Sequence, residues 1–300
     1  MSQVKTAISD RARSERRLGW LLCAPAAIAM LAVTAYPIGY AIVLSLQQVD
    51  LRFPDEGGFV GLQNYGAVLS SDLWWTDLFN TIFLSVISVS IELCLGMVIA
   101  LVMHRAIFGR GVVRTSVLIP YGIVTVVAAF SWQFAFAPDT GFINHLPFIA
   151  DDKDWFGERF SAFSVIIMAE VWKTTPFMAL LLLAGLTTID DGLYDAAKVD
   201  GASAWQRFTR ITLPLMKPAI LVALLFRTLD AFRIFDTIFI MTNGAQDTQS
   251  VSILGYQQLI SRLNLGLGSA VSVLIFVCVL FIAVFFVKFL GARQPDGSST

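Results

Sequence analysis

The sequence predicts an all-α, polytopic membrane protein with six transmembrane helices and both termini in the cytoplasm. Three observations lead there. The composition is 56% hydrophobic and only 14% charged, with a mean hydropathy of +0.72, whereas soluble domains carry about 25% charged residues. Six stretches are long and apolar enough to cross a hydrocarbon core, which takes about 20 residues. Lysine and arginine alternate between successive connections. The net charge of −1 leaves no basic excess to neutralise phosphates, so nucleic acid is excluded as a partner. Membrane lipid is the expected surrounding.

The spans read as 18–46, 78–104, 112–137, 160–186, 217–242 and 266–290. The first follows a basic segment (Arg11, Arg13, Arg16, Arg17) and continues past any cleavage site, so it reads as an uncleaved signal anchor. Lys5 and those arginines, Arg105, Arg110 and Arg114, then Lys198, Arg207, Arg210 and Lys217, with Lys288 and Arg293, put fourteen cations on one side. Arg52, Lys153, Arg159 and Arg262 put four on the other. The positive-inside rule makes the richer side cytoplasmic. Residues 1–17 and 291–300 are then cytoplasmic tails around a membrane domain at 18–290. Trp74 and Trp75 fall where an interfacial aromatic belt is expected.

The polar and chemical inventory is thin. Cys23, Cys94 and Cys278 lie in apolar runs and read as packing residues. The two histidines lack ligand partners at metal spacing, so neither a metal nor a catalytic residue is assigned. No phosphate-binding loop, zinc-binding helix or nucleophile elbow occurs. If ATP drives this chain, another polypeptide binds it.

The connection after the fourth span, 189–216, is too polar to span and too patterned for a plain loop. Asp190 or Asp191 can cap a short helix running to Val199. Gly201 breaks it. Ser203 and Gln206 have capping-box spacing for a second helix. Trp205, Phe208 and Ile211 give that helix an apolar face, Pro214 ends it, and Pro218 suits the first turn of the fifth span. The expectation is a compact cytoplasmic knob of two short helices at a sharp angle. The alternative is an amphipathic segment lying on the lipid surface. Four aspartates, at 190, 191, 195 and 200, speak against that.

This loop resembles the EAA loop of ABC importer permeases. The match runs from Asp195-Ala196-Ala197, through Gly201, to Ile211-Thr212-Leu213-Pro214, with Asp195 in place of the family's glutamate. Further likeness lies in Phe59 to Tyr65, Asn80-Thr81, Arg110-Gly111, Pro120, Trp132, Pro138, Trp172, Pro176-Phe177 and Leu183 to Leu186. Together they resemble the carbohydrate-uptake, maltose-type permeases. Leu118 to Val127 and Glu170 to Phe177 are most similar to a permease subunit of actinobacterial trehalose importers. The resemblance implies a type I importer permease fold in a bacterial plasma membrane. It implies Asp195, Ala196, Ala197, Asp200, Gly201 and Ala202 as the contact with a separate ATPase dimer, which uses ATP and Mg while this chain binds no cofactor. It also implies a heterodimeric partner permease and an extracytoplasmic sugar-binding protein or lipoprotein.

Charges inside the spans cost about 2.5–3.5 kcal/mol each on insertion scales. They fall at Glu92, Glu170, Lys173, Arg227, Asp230, Arg233 and Asp236. The last four alternate in sign at three-residue steps and can pair along one helix. With Phe226, Phe232, Phe235, Trp172 and Trp132 nearby, they suit a sugar, whose hydroxyls bond charged groups and whose apolar faces stack on rings. The resemblance places the sugar contacts at Arg227, Asp230, Ala231 and Ile234. Glu92 is left to pack against Asn80 or another polar group. The reading is a permease for a disaccharide such as trehalose. Alternatives are another cargo, such as glycerol phosphate, an ion-driven secondary transporter using Glu92, Glu170 and Asp230, or an intramembrane enzyme.

Overall fold

A computed structural model describes residues 10–105, 110–147 and 153–291. Most of the two expected tails, including Lys5 and Arg293, therefore lies outside the described residues. The helices are α1 (Asp10–Ser45), α2 (Gln63–Leu69), α3 (Asp72–Arg105), α4 (Arg110–Gly122), α5 (Thr125–Ala135), α6 (Arg159–Leu186), α7 (Asp191–Val199), α8 (Ala204–Arg207), α9 (Leu213–Ala231), α10 (Asp236–Met241), α11 (Val251–Tyr256) and α12 (Leu265–Gly291). Among the described residues, five helices are long and apolar enough to span a membrane, and α4 with α5 makes a sixth if the pair counts as one.

The third span differs from expectation. It is not one helix over 112–137 but two, bent by 88°. Pro120, near the end of α4, has no N–H to give the preceding turn. Gly122 follows, and Val124 adopts φ −57°, ψ 132°, outside the helical region. The fifth span also breaks. α9 stops at Ala231, and α10 resumes only at Asp236. Irregular backbone at membrane depth is tolerated only where it is buried in protein or lines a cavity.

α3 and α6 form the central pair, and α9 and α4 pack against α6. The close approach rests on Gly96, where a Cβ would come within 2.8 Å of Met178 Cγ and 3.2 Å of the Ala179 nitrogen. Met97, Ala100, Met178, Leu182, Met216 and Ala223 fill this layer. A second core joins α5, α6 and α10 through Ala129, Ile166 and Ile238. A third joins α3, α11 and α12 through Trp74, Val251 and Ala270. α1 packs mainly on α12, and none of its membrane-length apolar stretch is buried within the chain. Trp74 is 2% exposed, in the core rather than an interfacial belt. Trp75 is exposed and donates to the Leu69 carbonyl at 2.9 Å. Cys23 and Cys94 are exposed on the chain, and Cys278 is half-buried, so only the last packs as expected.

The stretch Phe59 to Tyr65 clips the end of α1. Strands β1 (Gln47–Gln48) and β2 (Gly58–Phe59) pair antiparallel, Gln47 opposite Phe59. Asn64 Nδ2 donates to the carbonyls of Ser45 and Gln47, both at 2.9 Å. In the intervening loop, the Arg52 guanidinium holds the Asp50 carboxyl down to about 2. Asn80 plays a similar part at the other loop. It donates to the carbonyls of Asp247 at 2.8 Å and Gln249 at 2.9 Å, and accepts from Arg159 at 2.7 Å. That loop needs holding, because Asn243, Gly244, Gln246 and Asp247 all have positive φ.

Gly96→Leu forces α3 away from α6. Overpacking of this kind costs about 1–3 kcal/mol, and it lowers the midpoint of thermal unfolding of the detergent-solubilised protein. Gly66→Leu, where a Cβ meets nothing within 4 Å, leaves the midpoint in place.

Candidate functional site

Arg227 sits on α9 with a side chain only 1% exposed. Its guanidinium is used on three sides. Nε donates to Glu92 Oε2 at 2.5 Å, and Nη2 to Glu92 Oε1 at 3.0 Å. Nη2 also reaches Glu170 Oε2 at 3.3 Å, and Nη1 donates to Asp230 Oδ2 at 2.7 Å. Two hydroxyls add to the network. Thr174 donates to Glu92 Oε1 at 2.8 Å, and Thr237 donates to Glu170 Oε1. The network thus ties α3, α6, α9 and α10 together. Buried charge is tolerated here because every member is paired and hydrogen-bonded.

Glu92 was the residue that spacing could not place. It does not bond Asn80, which is engaged with the 247–249 loop and Arg159. The alternating series on the fifth span also ends early. Arg227 and Asp230 pair, but among the described residues neither Arg233 nor Asp236 forms an ion pair. The helix stops at Ala231, so three-residue steps no longer measure neighbours beyond it.

The two helix breaks open a cavity of about 400 Å³. Seven of the nine expected pathway residues line it: Glu170, Lys173, Arg227, Asp230, Arg233, Ile234 and Asp236. Ala231 instead packs into the α3–α6–α9 core. Trp172 packs against Trp132, with ring centroids 5.9 Å apart. Tyr121, Thr125, Thr174 and Thr237 also line the cavity and were not expected. Tyr121 and Thr125 fall within the Leu118 to Val127 likeness and Thr174 within Glu170 to Phe177, whereas Thr237 carried no signal. Asp230, with a side chain 70% exposed, presents its carboxylate to this space. Tyr121 stacks on Phe177 at 5.4 Å, and Lys173 Nζ lies 5.6 Å from the Tyr121 ring centroid. Of the five aromatic residues considered for stacking, only Phe235 reaches the cavity.

At one end of the bundle stand α7 and α8. Asp190 caps α7 by accepting from the Gly192 N–H at 3.0 Å. The helix closes with Gly201 at φ +76°. The Gly201 N–H donates to the Lys198 carbonyl at 3.0 Å, and the Ala202 N–H to the Ala197 carbonyl at 2.9 Å. That is the Schellman pattern, which requires a residue at ease with positive φ. Ser203 and Gln206 form the capping box, at 2.7 Å and 3.2 Å. Pro214 does not end the second helix. A π-turn at Phe208–Thr212 carries α8 directly into α9, so residues 204–231 run on without a loop. The wider turn absorbs the hydrogen bond that proline cannot make.

Trp205 and Phe208 lie together, their rings 5.7 Å apart, yet Trp205 remains 71% exposed. Asp195, Ala196, Asp200 and Gly201 are exposed, while Ala197 and Ala202 are half-buried. Lys198 Nζ, 2.7 Å from Asp195, keeps that carboxyl below its ordinary range. Tyr194 Oη meets Thr212 Oγ1 at 2.9 Å, and Arg207 Nη1 donates to the Ala202 carbonyl at 2.7 Å. These bonds brace the two short helices against each other and against the start of α9.

The profile of the family described as binding-protein-dependent transport system inner membrane component matches residues 92–294. The chain is 55% identical over 296 residues to the trehalose transport system permease protein SugA of Mycobacterium tuberculosis, covering 97% of this chain and 95% of that one. It is 42% identical over 286 residues to the trehalose/maltose transport system permease protein MalF of Thermococcus litoralis, covering 94% and 96%. Among solved structures, a chain of a bacterial ABC transporter involved in import of the acidic polysaccharide alginate has a TM-score of 0.79 at 25% identity, covering 95% of this chain and 100% of that one. With its breaks, its capped surface helices and these matches, the chain belongs to the binding-protein-dependent inner membrane components, and is a multi-pass permease subunit of an ABC importer.

Proposed function

We propose that this subunit forms half of a transmembrane path for a neutral disaccharide, trehalose, with a second, similar permease supplying the other half. The observation that carries this reading is the cavity between the two helix breaks. Its volume falls in the usual range for small-ligand sites, about 300–1,000 Å³. Its wall sets three acids (Glu170, Asp230, Asp236) against three bases (Lys173, Arg227, Arg233), with hydroxyls at Thr125 and Thr237 and rings at Tyr121 and Phe235. Balanced charge gives no excess to hold a phosphate, which disfavours glycerol phosphate. Carboxylate, guanidinium and hydroxyl groups suit a sugar's hydroxyls, and rings suit its apolar faces. The trehalose names of two relatives narrow the class.

Asp230 is the contact group in this reading. Arg227 and Glu170 position it and hold the helices, Lys173, Arg233, Ile234 and Asp236 complete the wall, and Ala231 and Trp172 support it from behind. The lysine and arginine bias puts α7, α8 and both chain ends, 1–17 and 291–300, on the cytoplasmic side of the 18–290 domain. Residues 189–216 then meet a separate ATPase dimer through Asp195, Ala196, Ala197, Asp200, Gly201 and Ala202. ATP and Mg bind that partner. A binding protein or lipoprotein delivers sugar from the opposite face. Because α8 runs into α9, a push on the short helices tilts the helix bearing Arg227 and Asp230. A mechanical step of this kind needs different contacts in two states rather than a reacting group.

Three outcomes are expected in cells expressing the whole transporter. Labelled trehalose accumulates, and excess glycerol phosphate does not compete; accumulation of neither trehalose nor another disaccharide sinks the sugar assignment. Asp230→Asn cuts uptake at least tenfold with the complex intact on purification, whereas Arg227→Ala leaves three carboxylates, two of them buried, without their cation, costs about 3–5 kcal/mol, and depletes the protein from the membrane. Wild-type uptake by Asp230→Asn removes that residue from the path.

Gly201→Val should uncouple uptake and weaken ATPase co-purification while membrane insertion persists. No atom lies within 4 Å of a Cβ there, so the penalty, about 1–2 kcal/mol, comes from the backbone. Gly201→Asn, which tolerates positive φ, keeps most activity. Equal loss in both variants points to side-chain obstruction instead.

A further inference from the structure

A second concavity, of about 710 Å³, runs between α3 and the α8–α9 segment. Leu93 and Leu101 wall one side, and Trp205 and Phe208 the other, in a lining that is almost wholly apolar. The two segments run antiparallel here, so Arg105 and Arg207 share one end. At 1.5 Å per residue, the wall from Leu93 to Arg105 is about 18 Å long. One leaflet of a hydrocarbon core of about 30 Å is close to that length. Arg105 is the last residue of α3, and Arg207 lies in the first turn of the continuous 204–231 helix. Both guanidiniums therefore fall where the chain leaves hydrocarbon.

Among the described residues, no ion pair holds either arginine. Arg207 gives one Nη1 hydrogen bond to the Ala202 carbonyl and keeps its remaining donors. The nearby Asp195 is already matched by Lys198. An apolar trough one leaflet long, ending in two cationic forks, is complementary to an acyl chain with an anionic head.

We propose that this groove binds an anionic phospholipid, its acyl chain along α3 and its phosphate against Arg105 and Arg207. Bidentate guanidinium–phosphate bonds select the anionic head. A lipid held there touches Phe208 and Thr212, at the π-turn joining the surface helices to α9. It thereby loads the segment that moves.

The test uses the assembled transporter in nanodiscs, with phosphatidylglycerol carrying a diazirine in its acyl chain and the matching phosphatidylcholine probe. Phosphatidylglycerol should cross-link to the peptides 93–105 and 205–220 at least fivefold more than phosphatidylcholine. Arg105→Gln with Arg207→Gln should bring the two probes level. Val98→Trp, which fills the groove from an exposed flank and leaves both arginines in place, should abolish labelling by both. Equal labelling of the wild type by the two probes, or no change in the double variant, overturns the proposal. So does an empty lipid map with Cys94, which lines the groove, cross-linking to a helix of the second permease.

Discussion

One guanidinium, that of Arg227, fixes the spacing of three membrane helices. Glu92 on α3 grips it with both oxygens, Glu170 on α6 meets it from another side, and Thr237 extends the grip to α10 through Glu170. In hydrocarbon an unpaired charge of either sign is costly, so none of these helices can slide without exposing one. The same arrangement releases Asp230. It pairs with Arg227 through a single oxygen and keeps most of its surface open to the cavity. Structure and site are therefore one object: the ion cluster that stabilises the bundle also supplies the polar wall of its cavity.

The breaks in α4–α5 and α9–α10 follow from the same economy of polar groups. Backbone freed from a helix needs partners. At the second break the Arg233 and Ile234 N–H groups turn back onto the Asp230 and Ala231 carbonyls, and Ser250 donates to the Ile234 carbonyl at 3.0 Å. What remains faces the cavity. Two discontinuities at one depth let side chains from five helices converge, which straight helices at ordinary packing distances do not do.

Much of this was legible in the residues. Hydropathy and charge bias locate the spans, because lipid imposes the same length and polarity on every one. The α7–α8 caps were equally readable, since Asp190, Gly201, Ser203 and Gln206 act within a few residues of themselves. Glu92 was not readable as the partner of Arg227. Their meeting depends on α3–α9 packing across 135 residues, and local spacing does not encode it. Pro214 misled for a related reason: proline is a breaker by its own chemistry, but a π-turn just before it carries the helix past. Trp74 and Trp75 were indistinguishable in sequence, and only the packing of α11 and α12 buries the first. The cavity residues split the same way. Charged ones announce themselves by cost, while Tyr121, Thr125 and Thr237 are ordinary until two kinks aim them inward.

The π-turn at Phe208–Thr212 carries a geometric consequence of its own. A helix advances about 100° per residue, so the bulge sets the angular phase between the surface pair and the membrane half of the same rod. Removing one residue outside that turn, between Leu213 and Arg227, would keep the rod intact but rotate Arg227 about a quarter turn away from Glu92. Chain length between Ser203 and Arg227 is accordingly quantised. Natural variation in this stretch should proceed by replacement, with insertions or deletions confined to lengths that restore a whole number of turns.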